Sequence, residues 1–400
     1  MSSADRNYYC SMKFRFLKVD LIRNTMYTCD AATPRSIDRD WLEANPGQLF
    51  NTESIVNDRR LMLQNIRNLN CEQNCWPAED KGSVSPRLFR NGDLKTHTDL
   101  YQSPEFFDLT INSDCNLSCS YCCKEFSSSW RRDIAKNGPY KITGLSDRYE
   151  LTPMDQIIQQ LSQSEVKSNR NYQLLLNELR IVAPSLKTLY VTGGEPLLDN
   201  NLIDTLVDIP FDSDINLNLF SGLGMSESRF NNLLDKMSIL SNKYKNFQLK
   251  ISAESANQFY EFNRYGNTWN DFVGKINLLR QRNIKFIFHC TISNLTLFGF
   301  YDFCTKFNDI DFTMDFVHQP HMLSPHVLDD ESKKTIYNQL VALDGKNTSA
   351  LLKSIESVPT ELEKLNLKEF LLEFTNRRPD LTLDIFPKTF VNWLGLSHVV

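Results

Sequence analysis

No stretch of this 400-residue chain is apolar for long enough to span a membrane. The opening residues, Met1-Ser-Ser-Ala-Asp-Arg-Asn, lack the apolar core of a secretory signal, so a cytoplasmic protein is expected. There is no excess of positive charge either. The chain has 44 Lys and Arg against 49 Asp and Glu, a net charge of −5. That balance gives no general pull toward duplex nucleic acid or anionic lipid, and neither is expected as a partner. Repeats and low-complexity tracts are also missing. Cysteine, by contrast, is present ten times. Without a secretory signal, that number argues for metal binding rather than disulfides. A hydrophobic content of 41% and a charged content of 23% are those of a globular protein. The length allows two or three domains.

Three of the cysteines form the stretch around which the chain is organised, Cys115-Asn-Leu-Ser-Cys119-Ser-Tyr-Cys122. It follows the apolar run Phe106–Asn112, so the thiols sit on a loop just past a strand. Three thiolates on one tight loop can hold three irons of a cubane cluster. The fourth iron is then left open to a small molecule. A zinc knuckle is the competing reading. Structural zinc takes four closed ligands, and Cys123 is the only further sulfur at hand. A second motif is Leu189-Tyr-Val-Thr-Gly-Gly-Glu-Pro196, an apolar strand that ends in two glycines and a glutamate. The glycines allow close approach to the backbone, and the carboxylate can accept from an ammonium group.

Taken together, the cysteine spacing, with Tyr121 inside it, and the strand ending in Gly193-Gly194-Glu195-Pro196 resemble the radical S-adenosylmethionine superfamily. The resemblance implies a [4Fe-4S] cluster on Cys115, Cys119 and Cys122. It implies reductive cleavage of S-adenosylmethionine to a 5′-deoxyadenosyl radical that takes a hydrogen from a substrate. It also implies a one-electron donor such as a flavodoxin or ferredoxin. Contacts to the methionyl amine are expected from Gly193, Gly194 and Glu195, and a contact beside the adenine from Tyr121. Further strand ends supply Ser221, Ser252, Glu254, Arg264 and Asn294 as contacts to S-adenosylmethionine. Three of these have a plainer reading: loop packing for Tyr121, a surface helix-end arginine for Arg264, a turn asparagine for Asn294.

A second set of cysteines lies toward the N-terminus. Cys10 precedes the alternating stretch Met12–Leu21, Arg23-Asn24 reads as a turn, and Thr25–Thr28 returns to Cys29. A helix from about Ser54 to Asn68 leads to Cys71 and Cys75. The block ends in Trp76-Pro-Ala-Glu79 and resembles the SPASM/twitch auxiliary-cluster modules of that superfamily, although those usually follow the core. Cys10, Cys29, Cys71 and Cys75 would then hold a second, fully ligated [4Fe-4S] cluster. A zinc ribbon or four unrelated buried thiols are the alternatives.

The remaining pattern is α/β. Expected strands are Phe106–Asn112, Thr188–Thr192, Ile215–Phe220, Phe247–Ala253, Ile284–Thr291 and Asp311–Val317. Helical stretches near Met154–Leu161, Tyr172–Ile181, Leu202–Val207, Glu227–Ser241, Asn270–Gln281 and Leu297–Phe307 alternate with them. This matches the partial (β/α)6 TIM-like barrel of the superfamily, with ligands at the C-terminal strand ends. The expected division is an auxiliary-cluster domain over 1–82, a linker over 83–104, the core barrel over 105–325 and a helical region over 326–400. Arg131, Arg132, Lys136 and Lys141 read as a solvated basic loop. Cys123, Cys290 and Cys304 read as apolar fillers. The substrate expected is a peptide or protein side chain, with a sugar, nucleotide or tRNA as the alternative. The rival functions are a methyltransferase without radical chemistry and a non-enzymatic iron–sulfur carrier.

Overall fold

Alternation of apolar side chains places the strands. Leu189 and Val191, Leu217 and Leu219, and Leu249 and Ile251 are all fully buried, each pair on one face of its strand. The computed structural model describes residues 8–91, 97–153, 155–156, 170–343 and 348–397. In chain order the strands are β1 Phe16–Asp20, β2 Thr25–Tyr27, β3 Arg35–Ser36, β4 Phe106–Thr110, β5 Ser118–Cys119, β6 Thr188–Thr192, β7 Asn216–Ser221, β8 Gln248–Ser252, β9 Arg264–Tyr265, β10 Phe286–Ile292 and β11 Phe312–Phe316. The six strands expected from alternation are all there, with shifts of a residue or two at their ends.

Two compact units divide the chain. One comprises Met1–Asn112, Ser162–Leu219 and Lys236–Gln248; the other comprises Ser113–Leu161, Phe220–Asp235 and Leu249–Val400. In the first, the strand order is β7-β6-β4-β1-β2-β3. β7, β6, β4 and β1 run parallel, and β2 and β3 extend the sheet antiparallel. The N-terminal hairpin is therefore continuous with the strands that follow, because Phe16–Asp20 pairs residue for residue with Phe106–Thr110. In the second unit β11, β10 and β8 are parallel neighbours, and β5 and β9 form a separate antiparallel pair. Helices such as Arg170–Val182, Trp269–Gln281 and Glu361–Asn376 complete a mixed α/β architecture. No helix among the described residues is long and apolar enough to cross a membrane.

Several expectations are corrected. The strand expected over Met12–Leu21 begins as a helical turn, Met12–Arg15, and extends only from Phe16. Alternation failed there because Lys13 is buried, with its ammonium 3.1 Å from Asp58. The helix expected to Asn68 stops at Leu63; Asn65 takes a left-handed φ of 59° and Ile66 N–H bonds back to Leu61 O. The stretch Leu297–Phe307 is two helices, Asn294–Leu297 and Phe300–Lys306, broken at Gly299. A Cβ there would lie 2.8 Å from Phe259 Cβ and 2.9 Å from Ser255 Cβ, so close packing requires glycine. Arg131 is not solvated: it is 2% exposed, on the helix Ser128–Asn137. The helix expected near Met154–Leu161 lies, apart from 155–156, outside the described residues. Within 83–104, Pro86–Asn91 is helical and residues 92–96 lie outside the described residues.

Candidate functional site

The loop after β4 is fixed by hydrogen bonds to its main chain, and its sulfurs take part as well: Leu117 N–H donates to Cys115 Sγ at 3.4 Å, and Cys122 Sγ donates to Cys123 O at 3.8 Å. Ser127 caps the helix Ser128–Asn137 by accepting from Trp130 N–H, and its hydroxyl donates to Leu117 O at 2.7 Å. Ser128 and Ser129 hydroxyls donate to Cys115 O, and the Trp130 indole donates to Cys119 O at 3.0 Å. Arg131 reaches Lys124 O at 2.6 Å and Ser113 Oγ at 2.8 Å. Leu117, between the first two cysteines, is 2% exposed. It fits because Gly224 and Gly266 lack side chains: a Cβ at Gly224 would lie 2.4 Å from Leu117 Cγ. Gly266 has φ +109°, and a Cβ there would lie 2.7 Å from Asn116 O. Cys119 is buried, whereas Cys115 and Cys122 are half-buried. Cys115 and Cys119 both lie within electrostatic reach of Cys122. This donor set suits an iron–sulfur group with part of its surface accessible.

A charged brace fastens the loop. Cys119 and Arg264 are partners in the β5–β9 pair, and Ser120 bonds Asn263 through both backbone and side chain. The Arg264 guanidinium grips Glu254 with Nη2–Oε2 at 2.6 Å and Nε–Oε1 at 3.1 Å. Tyr121 donates its phenol to Glu254 Oε1 at 3.1 Å. Arg264 Nη1 lies 3.9 Å from Cys119 Sγ. Arg264 is 3% exposed and Glu254 0%. Burial alone would lower the Arg264 pKa, but Glu254, chief among the neighbouring groups, holds it well above its ordinary value. Burial pushes the Tyr121 phenol well up, so it stays a donor. The structure thus brings together Cys119, Tyr121, Glu254 and Arg264, and pairs the last two with each other. Arg264 is therefore not a surface helix-end arginine: it is buried, and its fork is made to Glu254.

The Gly-Gly-Glu-Pro turn follows β6. Gly193 has φ +133°, and a Cβ on it would lie 2.6 Å from Asn112 O; Gly194 N–H donates to that same oxygen at 2.9 Å. Glu195 is 1% exposed and accepts from Leu197 N–H, capping the short helix Pro196–Leu198. Ser221 is buried at the end of β7 and accepts from Leu223 N–H at 3.0 Å. Asn294 is fully buried, donating to Met322 O and Val327 O and accepting from Leu295 N–H.

Ser252, half-buried, closes β8 and stands opposite His289 of β10. Alternation on β10 and β11 adds polar groups that no motif signalled. His289 Nδ1 lies 3.0 Å from Thr313 Oγ1 and its Nε2 3.4 Å from Asp315. Burial lowers the His289 pKa, against the pull of Asp315. Lys250 lies over the Phe220 ring. In the same unit a cavity of about 540 Å³ is lined by Asn116, Gly224, Glu261, Gly266, Asp271 and Asp380 among others, and by none of the residues expected to touch S-adenosylmethionine.

The N-terminal cysteines occupy a closed setting. Cys10, Cys71 and Cys75 pack with Met62 and Trp76, all 6% exposed or less. Cys29, also buried, lies within electrostatic reach of Cys10. Trp76 donates to Asn68 O at 2.7 Å, and Glu79 binds Arg87, which reaches Tyr9 O. Burial pushes the Cys10 thiol up to about 11. A hydrogen bond from Cys71 brings Cys75 down to about 6. The hydroxyls of Ser11 and Thr28, each next to one of these cysteines, are buried without a partner among the described residues. Unmet donors of this kind fit a sulfur-rich ligand. Among the described residues no three His, Cys, Asp or Glu converge on a single ion.

No family model and no curated protein matches the chain. Solved structures do. Native anSMEcpe with bound AdoMet is 14% identical, with a TM-score of 0.38 over 63% of this chain and 63% of that one. The same protein with bound AdoMet and Cp18Cys peptide is 13% identical, with a TM-score of 0.34 over 70% of this chain and 83% of that one. SuiB of Streptococcus suis is 12% identical, with a TM-score of 0.30 over 65% of this chain and 54% of that one. The chain spans less than two thirds of the first of these neighbours.

Proposed function

We propose that the chain is a radical S-adenosylmethionine enzyme acting on a peptide or protein side chain, built on a partial (β/α)6 barrel with an N-terminal auxiliary-cluster block. The observation that carries this reading is the loop Cys115–Cys122. The main-chain oxygens of Cys115, Leu117 and Cys119 are held by Ser129, Ser127 and Trp130, and two of its three thiols stay half-buried rather than enclosed. Cys115, Cys119 and Cys122 would hold a [4Fe-4S] cluster there, and that cluster would supply the electron for reductive cleavage of S-adenosylmethionine, the source of the hydrogen-abstracting radical.

The protein's own part is to hold and to exclude. Ser127, Trp130 and Arg131 fix the loop, and the glycines at 224 and 266 seat Leu117. Gly193, Gly194 and Glu195 are proposed to receive the methionyl amine, and Ser252 the ribose. Tyr121 is proposed to lie beside the adenine. Ser221 and Asn294 are the remaining proposed contacts. Glu254 and Arg264 enter as the brace that orients Tyr121 and Cys119. Orientation of this kind replaces general-base chemistry in the first step. Cys10, Cys29, Cys71 and Cys75 are proposed to hold the second cluster, structural or electron-conducting. The acidic balance of the chain favours a peptide over duplex nucleic acid.

The test is anaerobic reconstitution with iron and sulfide, then S-adenosylmethionine and dithionite. Formation of 5′-deoxyadenosine that vanishes in Cys115→Ala/Cys119→Ala/Cys122→Ala supports the reading. Equal formation by that variant rejects it.

A further inference from the structure

The loop is already held by the β5–β9 pair, by Ser120 on Asn263 and by the cap at Ser127. Glu254 and Arg264 contribute something these bonds do not. They place a full positive charge, screened by almost no solvent, 3.9 Å from Cys119 Sγ. The guanidinium offers one nitrogen, Nη1, to the sulfur and its other two to the carboxylate. The cation therefore presents itself to the sulfur, and the anion sits on another edge of the fork.

We propose that Arg264 is a positioning residue that raises the reduction potential of the iron–sulfur group held at Cys119, with Glu254 as the anion that partly offsets it. This rests on the reading of the loop given above. Reduction adds negative charge to the cluster. A nearby cation stabilises the reduced form, and an anion destabilises it. Burial keeps both effects from being screened. A purely mechanical brace would predict no such dependence. It would be satisfied by any pair that kept β5 and β9 together.

The experiment is an anaerobic redox titration of reconstituted protein without substrate, followed by electron paramagnetic resonance. Iron and sulfide per chain are measured in parallel. The loop signal is the one missing from Cys115→Ala/Cys119→Ala/Cys122→Ala. Glu254→Gln keeps the shape of the side chain and removes its charge, so its potential should rise above the wild type. Arg264→Lys keeps the charge and should stay nearest the wild type. The double change Arg264→Met/Glu254→Gln removes both charges and should fall below both Arg264→Lys and Glu254→Gln. If Glu254→Gln titrates at or below the wild type with full iron content, the inference is overturned. Should Glu254→Gln lose iron, the double variant decides against Arg264→Lys: equal potentials overturn the inference, and a lower one in the double variant supports it. If the triple cysteine variant binds as much iron as the wild type and shows the same signals, the reading of the loop itself fails, and this inference with it.

Discussion

Two cysteine settings in this chain solve opposite problems. The loop Cys115–Cys122 gathers its thiols within one short segment, and two of them remain half-exposed. The N-terminal set draws Cys10, Cys29, Cys71 and Cys75 from separated segments, and all four are buried. The loop depends on main-chain oxygens being occupied by Ser127, Ser129 and Trp130. The N-terminal set depends on side-chain packing around Met62 and Trp76. Each has a buried cation. Arg264 is forked onto Glu254 beside Cys119, and Lys13 is paired with Asp58 in the unit that holds Cys10 and Cys71. The difference teaches which site suits which task. A partly open set suits a ligand that must come and go, and a closed set suits one that stays.

The largest effect that would sharpen the comparison is loss of the open site. Replacing Cys115, Cys119 and Cys122 by Ala should abolish 5′-deoxyadenosine formation while leaving the N-terminal set able to take up iron. Mass spectrometry of the nucleoside and iron analysis of the same sample read both. Replacing Cys10, Cys29, Cys71 and Cys75 instead should remove about half of the iron if both groups are cubanes. Recovery of one zinc per chain from protein prepared with iron available would break the symmetry of the comparison and assign the closed set to zinc.

Smaller effects follow from backbone strain. Gly266→Ala forces a side chain onto a φ of +109° and against Asn116 O at 2.7 Å. A cost of about 1–3 kcal/mol is expected for such a conformation, seen as a lowered unfolding midpoint. Because Asn116 lies inside the cysteine loop, iron retention should fall too. An unchanged midpoint with unchanged iron content would show that the loop adapts, and that its rigidity had been overstated.

Much of this was legible in the sequence. The six strands could be read because their apolar residues alternate and their buried faces are uniform, as Leu217 and Leu219 show. The loop could be read because its three cysteines are close in sequence. The brace could not be read as a pair. Glu254 lies just past β8 and Arg264 opens β9, and sequence spacing does not say that their side chains turn toward each other. β5 and β9 have two residues apiece, too few for any period to register. Arg131 looked solvated because it belongs to a basic run. It is buried because Lys124 O and Ser113 Oγ, distant in pattern, need its donors. Met12–Arg15 misled for the same reason, since a buried lysine breaks the rule that polar means exposed.

The smallest expected effect tests whether any arginine near a cysteine matters. Arg90 Nη1 lies 3.1 Å from Cys29 Sγ, closer than Arg264 lies to Cys119. Distance alone would make Arg90 the stronger influence. Its surroundings say otherwise. Arg90 and its partner Asp30 keep 30% and 48% of their side-chain surface in solvent, so water and salt screen the charge. An exposed pair of this kind is worth about 0.2–1 kcal/mol. Arg90→Ala should therefore change the unfolding midpoint little and leave iron uptake by the N-terminal set intact. Glu254→Ala, which strands Arg264 in a buried site, should cost about 3–5 kcal/mol. Thermal unfolding of the two variants side by side is the check. If Arg90→Ala were the more damaging of the two, proximity rather than burial would govern these sites.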